Sequence, residues 1–287
     1  MNASLPESPE HPISDDEFLK FREFFYRKIG IMFADNKRYF VDKRLGQEIT
    51  NSGARSFRDY FNRLCFEASG SDLQSLVNSM TVNETYFYRE SYQLDCLVRS
   101  ILPEVVKPMA RGSTVKIWSI PCSTGEEPYS IALYLLEKWR DVDDYNIEIV
   151  ASDIDTDVLK KARTGTYSDR SFQHLPRDVL EKYTTPKGEG QYQVIKEIRG
   201  SIRFSTANIM DTLLSNQYRG FDVIFCRNLL IYFDDMSRRE AVEALYAAMK
   251  PGAFLCLGHS ESMSRISSLF SLRKFPEAIV YQKPLEP

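Results

Sequence analysis

The reading of this chain turns on IWSIPCSTGEEPYSIAL, Ile117 to Leu133, and on VASDIDTDVL, which begins at Val150. The first stretch reads as a buried strand carried by Val115 and Ile117, a tight turn at Ser123-Thr124-Gly125, and a helix opening with Glu126 and Glu127. The second is another apolar strand, with Ile147, Ile149 and Val150, and it ends on Asp153. A strand, a small-residue turn into a helix, and an acid at the tip of the next strand is how a doubly wound α/β domain holds an adenine nucleoside. The acid takes the ribose hydroxyls. The turn lacks the three glycines of a dinucleotide fingerprint, and two glutamates stand where a pyrophosphate needs positive charge. The pattern points to a nucleoside without phosphates, and S-adenosylmethionine meets that description.

Working outward, strands are expected at 115–120, 146–152, 201–206, 221–226, 253–258 and 277–282. Helices fit 126–139, 155–163 and 236–249, the last ending at the stop signal Lys250-Pro251-Gly252. This order predicts an α/β fold, a doubly wound and mostly parallel sheet with helices on both faces. Residues 164–200 interrupt it with a short helix (Pro176 to Tyr183), a turn (Pro186 to Gly190) and a strand-like run (Gln191 to Ile198). A crossover needs less chain, so a small inserted β-subdomain is expected. Residues 14–80 read as a string of helices. Ser14 to Glu17 forms a capping-box pattern, a second helix runs from Val41 to about Ser52, and Ser56 caps a third. The domain scheme is then a disordered tail over 1–13, a helical domain over 14–80, a linker or lid over 81–90, and an α/β domain over 91–287.

Bulk properties narrow the class. An apolar content of 43% and a charged content of 27% suit a soluble globular protein. No apolar run reaches the ~20 residues of a membrane span, and the N-terminus lacks the basic start and apolar core of a signal peptide. A cytoplasmic protein without membrane insertion is expected. The five cysteines are scattered and odd in number, which argues for reduced thiols, and with three dispersed histidines no metal site is expected. The net charge is −3, yet Lys20 to Arg63 carries eleven Lys and Arg against five Asp and Glu, a net of +6. That segment is either a solvated surface or a docking face for an acidic partner. The bias is weak for nucleic acid.

Three other stretches carry polar groups where ligands bind. Phe221 to Phe233 is a buried strand running into Arg227, Asn228 and Tyr232, all expected to open into one crevice. Amino methyltransferases carry an Asn/Asp-Pro-Pro-aromatic tetrapeptide at such a strand. Asn228-Leu-Leu-Ile has neither the prolines nor the aromatic residue, so nothing is placed to stack a flipped base. Asn83, Thr85 and Arg89, in NETYFYRE, suit a lid over a bound ligand. Gly258-His-Ser-Glu-Ser fits a polar turn better than a site. Cys122 has no histidine partner nearby, so a nucleophilic role is disfavoured.

In sequence order, NETYFYRE, WSIPCSTGEEPYSIA, ASDIDTDVLKKARTGTY, the insert, FCRNLLIYFD and GHSESM resemble the chemotaxis receptor methyltransferases of the CheR type, over roughly residues 15–285. The resemblance implies methyl transfer from S-adenosylmethionine to glutamate side chains on the cytoplasmic helices of chemoreceptors, leaving S-adenosylhomocysteine. It implies cofactor contacts at Asn83, Thr85, Arg89, Glu127, Asp153, Asn208, Ile209, Arg227 and Asn228. Arg89 and Tyr232 match positions that line the reaction centre. The basic helical domain matches the part that faces the receptor, although Lys43 and Arg44 are followed by Gln47 and Glu48. Some members also grip a receptor's C-terminal tail peptide on the β-subdomain. Here the turn is short, and the strand Gln191 to Ile198, read as an edge, carries Lys196 and Glu197, so no such dependence is expected. The rivals are a small-molecule or RNA methyltransferase and a non-catalytic adenosyl-ligand sensor.

Overall fold

A computed structural model describes residues 13–263 and 266–285. The expected tail lies outside the described residues except for Ile13, which is buried and accepts a hydrogen bond from Arg38. The chain divides after Val82 into two compact units.

The first unit is helical: α1 (Asp15–Ile29), α2 (Arg38–Asn51), α3 (Phe57–Phe66) and α4 (Ser71–Met80). The Ser14 hydroxyl accepts the Glu17 N–H while the Glu17 carboxylate accepts the Ser14 N–H, a complete capping box. Helix α1 stops at Gly30, which takes the left-handed φ of 81° that a side chain would strain. Ser56 caps α3 as expected. Phe18, Phe21, Phe25, Leu45, Tyr60 and Leu76 are buried. Much of the basic charge is used inside the unit. Arg22 pairs with Asp35, Arg27 with Glu23, Arg63 with Asp59, and Arg38 with both Asp15 and Asp42. Arg44 donates to the Ser79 carbonyl and lies over the Phe40 ring. Lys20, Lys37, Lys43, Arg55 and Arg58 are exposed.

The second unit opens with a helix from α5 (Ser91–Cys96) through a π-helical turn (Leu97–Ile101) into α6 (Leu102–Val106). Alternating strands and helices follow: β1 (Thr114–Ser119), α7 (Glu126–Lys138), β2 (Asn146–Asp153), α8 (Thr156–Thr164). The insert contributes β3 (Thr166–Ser168), α9 (Arg177–Tyr183), β4 (Thr184–Gly188), β5 (Gln191–Val194) and α10 (Lys196–Gly200). Then come β6 (Ile202–Thr206), α11 (Leu214–Gln217), β7 (Phe221–Cys226), α12 (Asp235–Ala248), β8 (Met249–Leu257), β9 (Ser271–Lys274) and β10 (Ile279–Gln282). The main sheet has the order β6-β2-β1-β7-β8-β10-β9. Its first five strands are parallel, and β10 and β9 close one side antiparallel. Strand β7 is buried at every residue, as a parallel strand covered on both faces must be. The chain proceeds from β1 to β2 and β6 on one side and returns to β7 and β8 on the other. The switch point therefore lies between β1 and β7, where α/β sheets bind ligands at the strands' carboxyl ends.

Three local expectations need correction. Helix α12 ends at Ala248, close to the expected stop, but the next strand begins at Met249 and not at 253, so Lys250, Pro251 and Gly252 form the first half of β8, with Gly252 at φ 80° where the ladder shifts register between β7 and β8. Strand β9 was not anticipated: four residues flanked by exposed turns give too short a pattern. In the insert the sheet order is β3-β5-β4, so Gln191–Val194 is the central strand, and Lys196 and Glu197 begin helix α10. They do not guard an edge. Among the described residues no helix is long and apolar enough to cross a membrane.

Candidate active site

The loops after β1, β2, β6, β7 and β8 and the segment 83–90 meet at the carboxyl end of the sheet, and polar side chains tie several of them to one another. After β1, Ile120 enters a turn in which Ser123 takes φ 47° and Gly125 φ 97°. At Gly125 a Cβ would stand 2.9 Å from the Ala162 Cβ, so only glycine lets α7 start this close to α8. The Ser123 N–H donates to Asp153 Oδ2 (2.7 Å), and the Asp155 N–H donates to Asp153 Oδ1 (3.0 Å). Asp153 is 3% exposed. Burial pushes its carboxyl up from 3.8 to about 6, against these backbone donors. The acid at the strand tip thus fixes the β1 turn through one oxygen and its own loop through the other, leaving further lone pairs on each.

Beside it, α7 presents Glu127. Its Oε1 accepts the Ser119 hydroxyl (2.8 Å) and its Oε2 accepts Arg227 Nη1 (2.8 Å). Burial pushes the Glu127 carboxyl up and the Arg227 charge opposes it. Arg227 follows β7 and is 5% exposed. It was expected to open into the crevice; instead it is enclosed, with Nη2 3.1 Å from Glu90 and 3.0 Å from the Arg89 carbonyl. Its Nε has no hydrogen-bond partner. Burial pushes the Glu90 carboxyl up, but Arg227 and His259 prevail and hold it below the usual range. His259 Nδ1 lies 2.8 Å from Glu90 Oε1, and Gln93 donates to Glu90 Oε2 (3.0 Å) and to the Leu257 carbonyl (2.7 Å). One arginine thus ties the segment 83–90, the first turn of α7 and the end of β7 together.

The segment 83–90 is pinned at its other end too. Asn83 Nδ2 donates to Asp155 Oδ2 (3.0 Å), the Ser123 hydroxyl donates to Asn83 Oδ1 (3.4 Å), and the Tyr88 N–H donates to the Ser130 hydroxyl (3.0 Å). Thr85 is half-buried. Arg89 lies over the Tyr86 ring and donates to the Glu84 carbonyl. Tyr232 is 41% exposed. Burial raises its hydroxyl pKa and the Arg89 charge opposes that. After β6, Asn208 accepts the Met210 N–H (3.0 Å), and Ile209 is buried. Among the described residues five non-glycine residues take positive φ, and four of them, Tyr88, Glu90, Ser123 and Asn228, sit in these loops. Such strain gathers where surrounding structure imposes geometry for a purpose.

Sequence reasoning passed over Glu90, although it was quoted within NETYFYRE, and over Gln93 and Glu261. The sign of its charge was legible; its pairing with a residue 137 positions away was not. Gly258-His-Ser-Glu-Ser is indeed a turn, but Glu261 within it grips two loops, as described below.

The donor set suits an adenosyl sulfonium compound. Carboxylates face the strand tips where hydroxyls and an ammonium group would need acceptors, and helix α7 begins with two glutamates where a phosphate would be repelled. Among the described residues no cluster of ligands suited to a metal ion is found. The fold and this phosphate-free crevice define a class I methyltransferase.

Comparison with known proteins agrees. Residues 83–279 match the family described as "CheR methyltransferase, SAM binding domain", and residues 16–81 match "CheR methyltransferase, all-alpha domain". Chemotaxis protein methyltransferase 2 of Vibrio cholerae is 52% identical, covering 95% of this chain and 94% of that protein. The chemotaxis protein methyltransferase of Escherichia coli is 34% identical over 91% and 89% of the two chains, and that of Borreliella burgdorferi 32% identical over 88% and 89%. The chain belongs to the CheR methyltransferase family, and it is an S-adenosylmethionine-dependent methyltransferase of chemotaxis.

Proposed function

We propose that this enzyme methylates glutamate side chains on the cytoplasmic helices of chemoreceptors. The observation that carries the reading is the match of both units to the CheR methyltransferase family, with chemotaxis protein methyltransferase 2 of Vibrio cholerae 52% identical over 95% of this chain. Exposed Tyr232, with exposed Ile231 (44%) and Met236 (58%) near it in sequence, suits a large partner rather than a free small molecule. The weak positive bias and the absence of a base-stacking tetrapeptide disfavour RNA.

The chemistry asks little of the chain. A glutamate carboxylate has a pKa near ~4.3 and is already an anion at neutral pH, so no general base is needed. S-adenosylmethionine, when bound, supplies an activated methyl group on its sulfonium sulfur. Arg89 holds a carboxylate through a forked hydrogen bond, Tyr232 offers its hydroxyl beside the reacting oxygen, and the segment 83–90 excludes water. In this reading Asn83, Thr85, Asp153, Asn208 and Ile209 line the nucleoside side, and Asn228 the methionine side. Glu127 and Arg227, paired with each other and largely enclosed, act through the geometry they impose.

The helical unit reads the receptor in this proposal, through exposed Lys20, Lys37, Lys43, Arg55 and Arg58. Independence of a receptor tail peptide remains part of the proposal on new grounds. The β4 edge carries Pro186 and Lys187 and is broken by a register shift there, and β3 has only three residues. Proline, lysine and irregularity all discourage strand addition. The test is methyl transfer from radiolabelled cofactor to receptor cytoplasmic fragments. A glutamate methyl ester releases its label as methanol in mild base. Base-stable label, or no transfer to a fragment whose target glutamates are intact, would refute the reading.

A further inference from the structure

Glu261 lies outside every assignment made above, yet its carboxylate accepts three backbone N–H groups at the sheet's carboxyl end. Its Oε2 accepts the N–H of Asn228 (2.8 Å) and of Gly258 (2.8 Å), and its Oε1 accepts the N–H of Leu230 (2.7 Å). Two of these donors belong to the loop after β7 and one to the loop after β8. Three backbone N–H dipoles converge on one point, which without an anion would leave them unpaired and mutually repelling.

The grip has a conformational target. Asn228 takes φ 59°, a left-handed conformation that side-chain-bearing residues other than asparagine and aspartate seldom adopt. Its N–H is the one that points into Glu261. Gly258 lets the two loops meet: a Cβ there would stand 2.8 Å from Glu261 Oε2, 3.0 Å from Asn228 Nδ2 and 3.2 Å from the Asn228 N. The carboxylate, the glycine and the left-handed asparagine form one unit.

We propose that Glu261 is a positioning residue for the methyltransferase reaction, holding Asn228 in its left-handed conformation so that the side chain faces the cofactor. This rests on the reading of Asn228 as a cofactor contact. Glu261 touches only backbone in the contacts above, and its effect on binding passes through Asn228.

The experiment is calorimetric titration of the full chain with S-adenosylhomocysteine, paired with thermal unfolding. Glu261→Gln should weaken binding about 10- to 100-fold, the range for losing charge-assisted bonds to backbone donors. Gly258→Ala, which crowds the same carboxylate from the other side, should shift affinity in the same direction. In an Asn228→Gly background, where the left-handed conformation costs nothing, Glu261→Gln should have much less effect. A purely structural role would lower the melting temperature of Glu261→Gln and leave affinity intact. That outcome, or an equal effect in both backgrounds, would overturn the proposal. Asn228→Ala separates the underlying reading: unchanged affinity there removes Asn228 as a cofactor contact. Weakened Asn228→Ala beside unaffected Glu261→Gln and Gly258→Ala overturns Glu261 alone.

Discussion

The helical unit and the crevice of the α/β unit use charge in opposite ways. In the helical unit the ion pairs are local or exposed. Arg27 and Glu23 are one helical turn apart and both largely solvated, and Asp35 and Asp15 are more than 90% exposed opposite their arginines. In the crevice, Arg227 is 3% exposed by side chain, Glu127 13% and Glu90 11%, and the partners come from three separate parts of the chain. Solvated pairs are worth little and leave charge available to a partner; buried pairs are costly to break and fix geometry. On the proposed reading, the first region recognises a large acidic partner and the second holds the cofactor.

The largest expected effect follows from breaking the buried cluster. Arg227→Met would leave Glu127 and Glu90 facing each other without a cation, at a cost of about 3–5 kcal/mol in unfolding free energy by denaturant titration. Arg227→Lys should recover only part, since an ammonium cannot serve two carboxylates and a carbonyl with the guanidinium's geometry. A smaller effect is expected at the reaction centre. Arg89→Ala should lower kcat on receptor fragments about 100-fold, and Tyr232→Phe less, with the melting temperature little changed. If Arg89→Ala methylates at the normal rate, the placement of Arg89 is wrong.

Asp153 gives a prediction in pH. Its folded value of about 6 exceeds the ordinary 3.8 because of burial, so between these values the folded state binds a proton that the unfolded chain has released. The contribution of this group to stability is therefore present at low pH and is lost as pH rises through about 4 to 6. Asp153→Asn removes that dependence. Measured by thermal or denaturant unfolding, the variant should gain on the wild type by ~1–3 kcal/mol between pH 4 and pH 7. A gain in the other direction would mean the carboxylate is stabilised as an anion. The smallest effect belongs to the solvated region: Arg27→Ala should change unfolding free energy by no more than ~0.5 kcal/mol.

The parallel core was legible because strands buried on both faces read as apolar runs, as Phe221 to Cys226 does; the order of the strands in the sheet, and with it the switch point between β1 and β7, came only from the structure. The strand-tip acid Asp153 and the Ser123-Thr124-Gly125 turn were legible for the same reason, being local in sequence. Lys250-Pro251-Gly252 did mark the end of α12, but the start of β8 was placed too late, at 253, because proline and glycine are poor strand formers; the pairing of Met249 with Phe221 on β7 brings them into the strand. The roles of Glu90 and Glu261 depend on partners 137 and 33 residues away. A charge in a sequence carries no address, so such pairings emerge only once the sheet places its loops.

The division between the two regions can be tested in one salt series. Exposed charges are screened over ~8–10 Å near physiological ionic strength, whereas the buried cluster is largely shielded from added salt. Methylation of receptor fragments at subsaturating concentration and calorimetric affinity for S-adenosylhomocysteine should be followed together from low to high salt. The predicted result is a steep fall in methylation through a rising KM for the receptor, with nearly constant affinity for the nucleoside. Parallel loss of both, or a receptor KM indifferent to salt, would contradict the assignment of recognition to the basic helical unit.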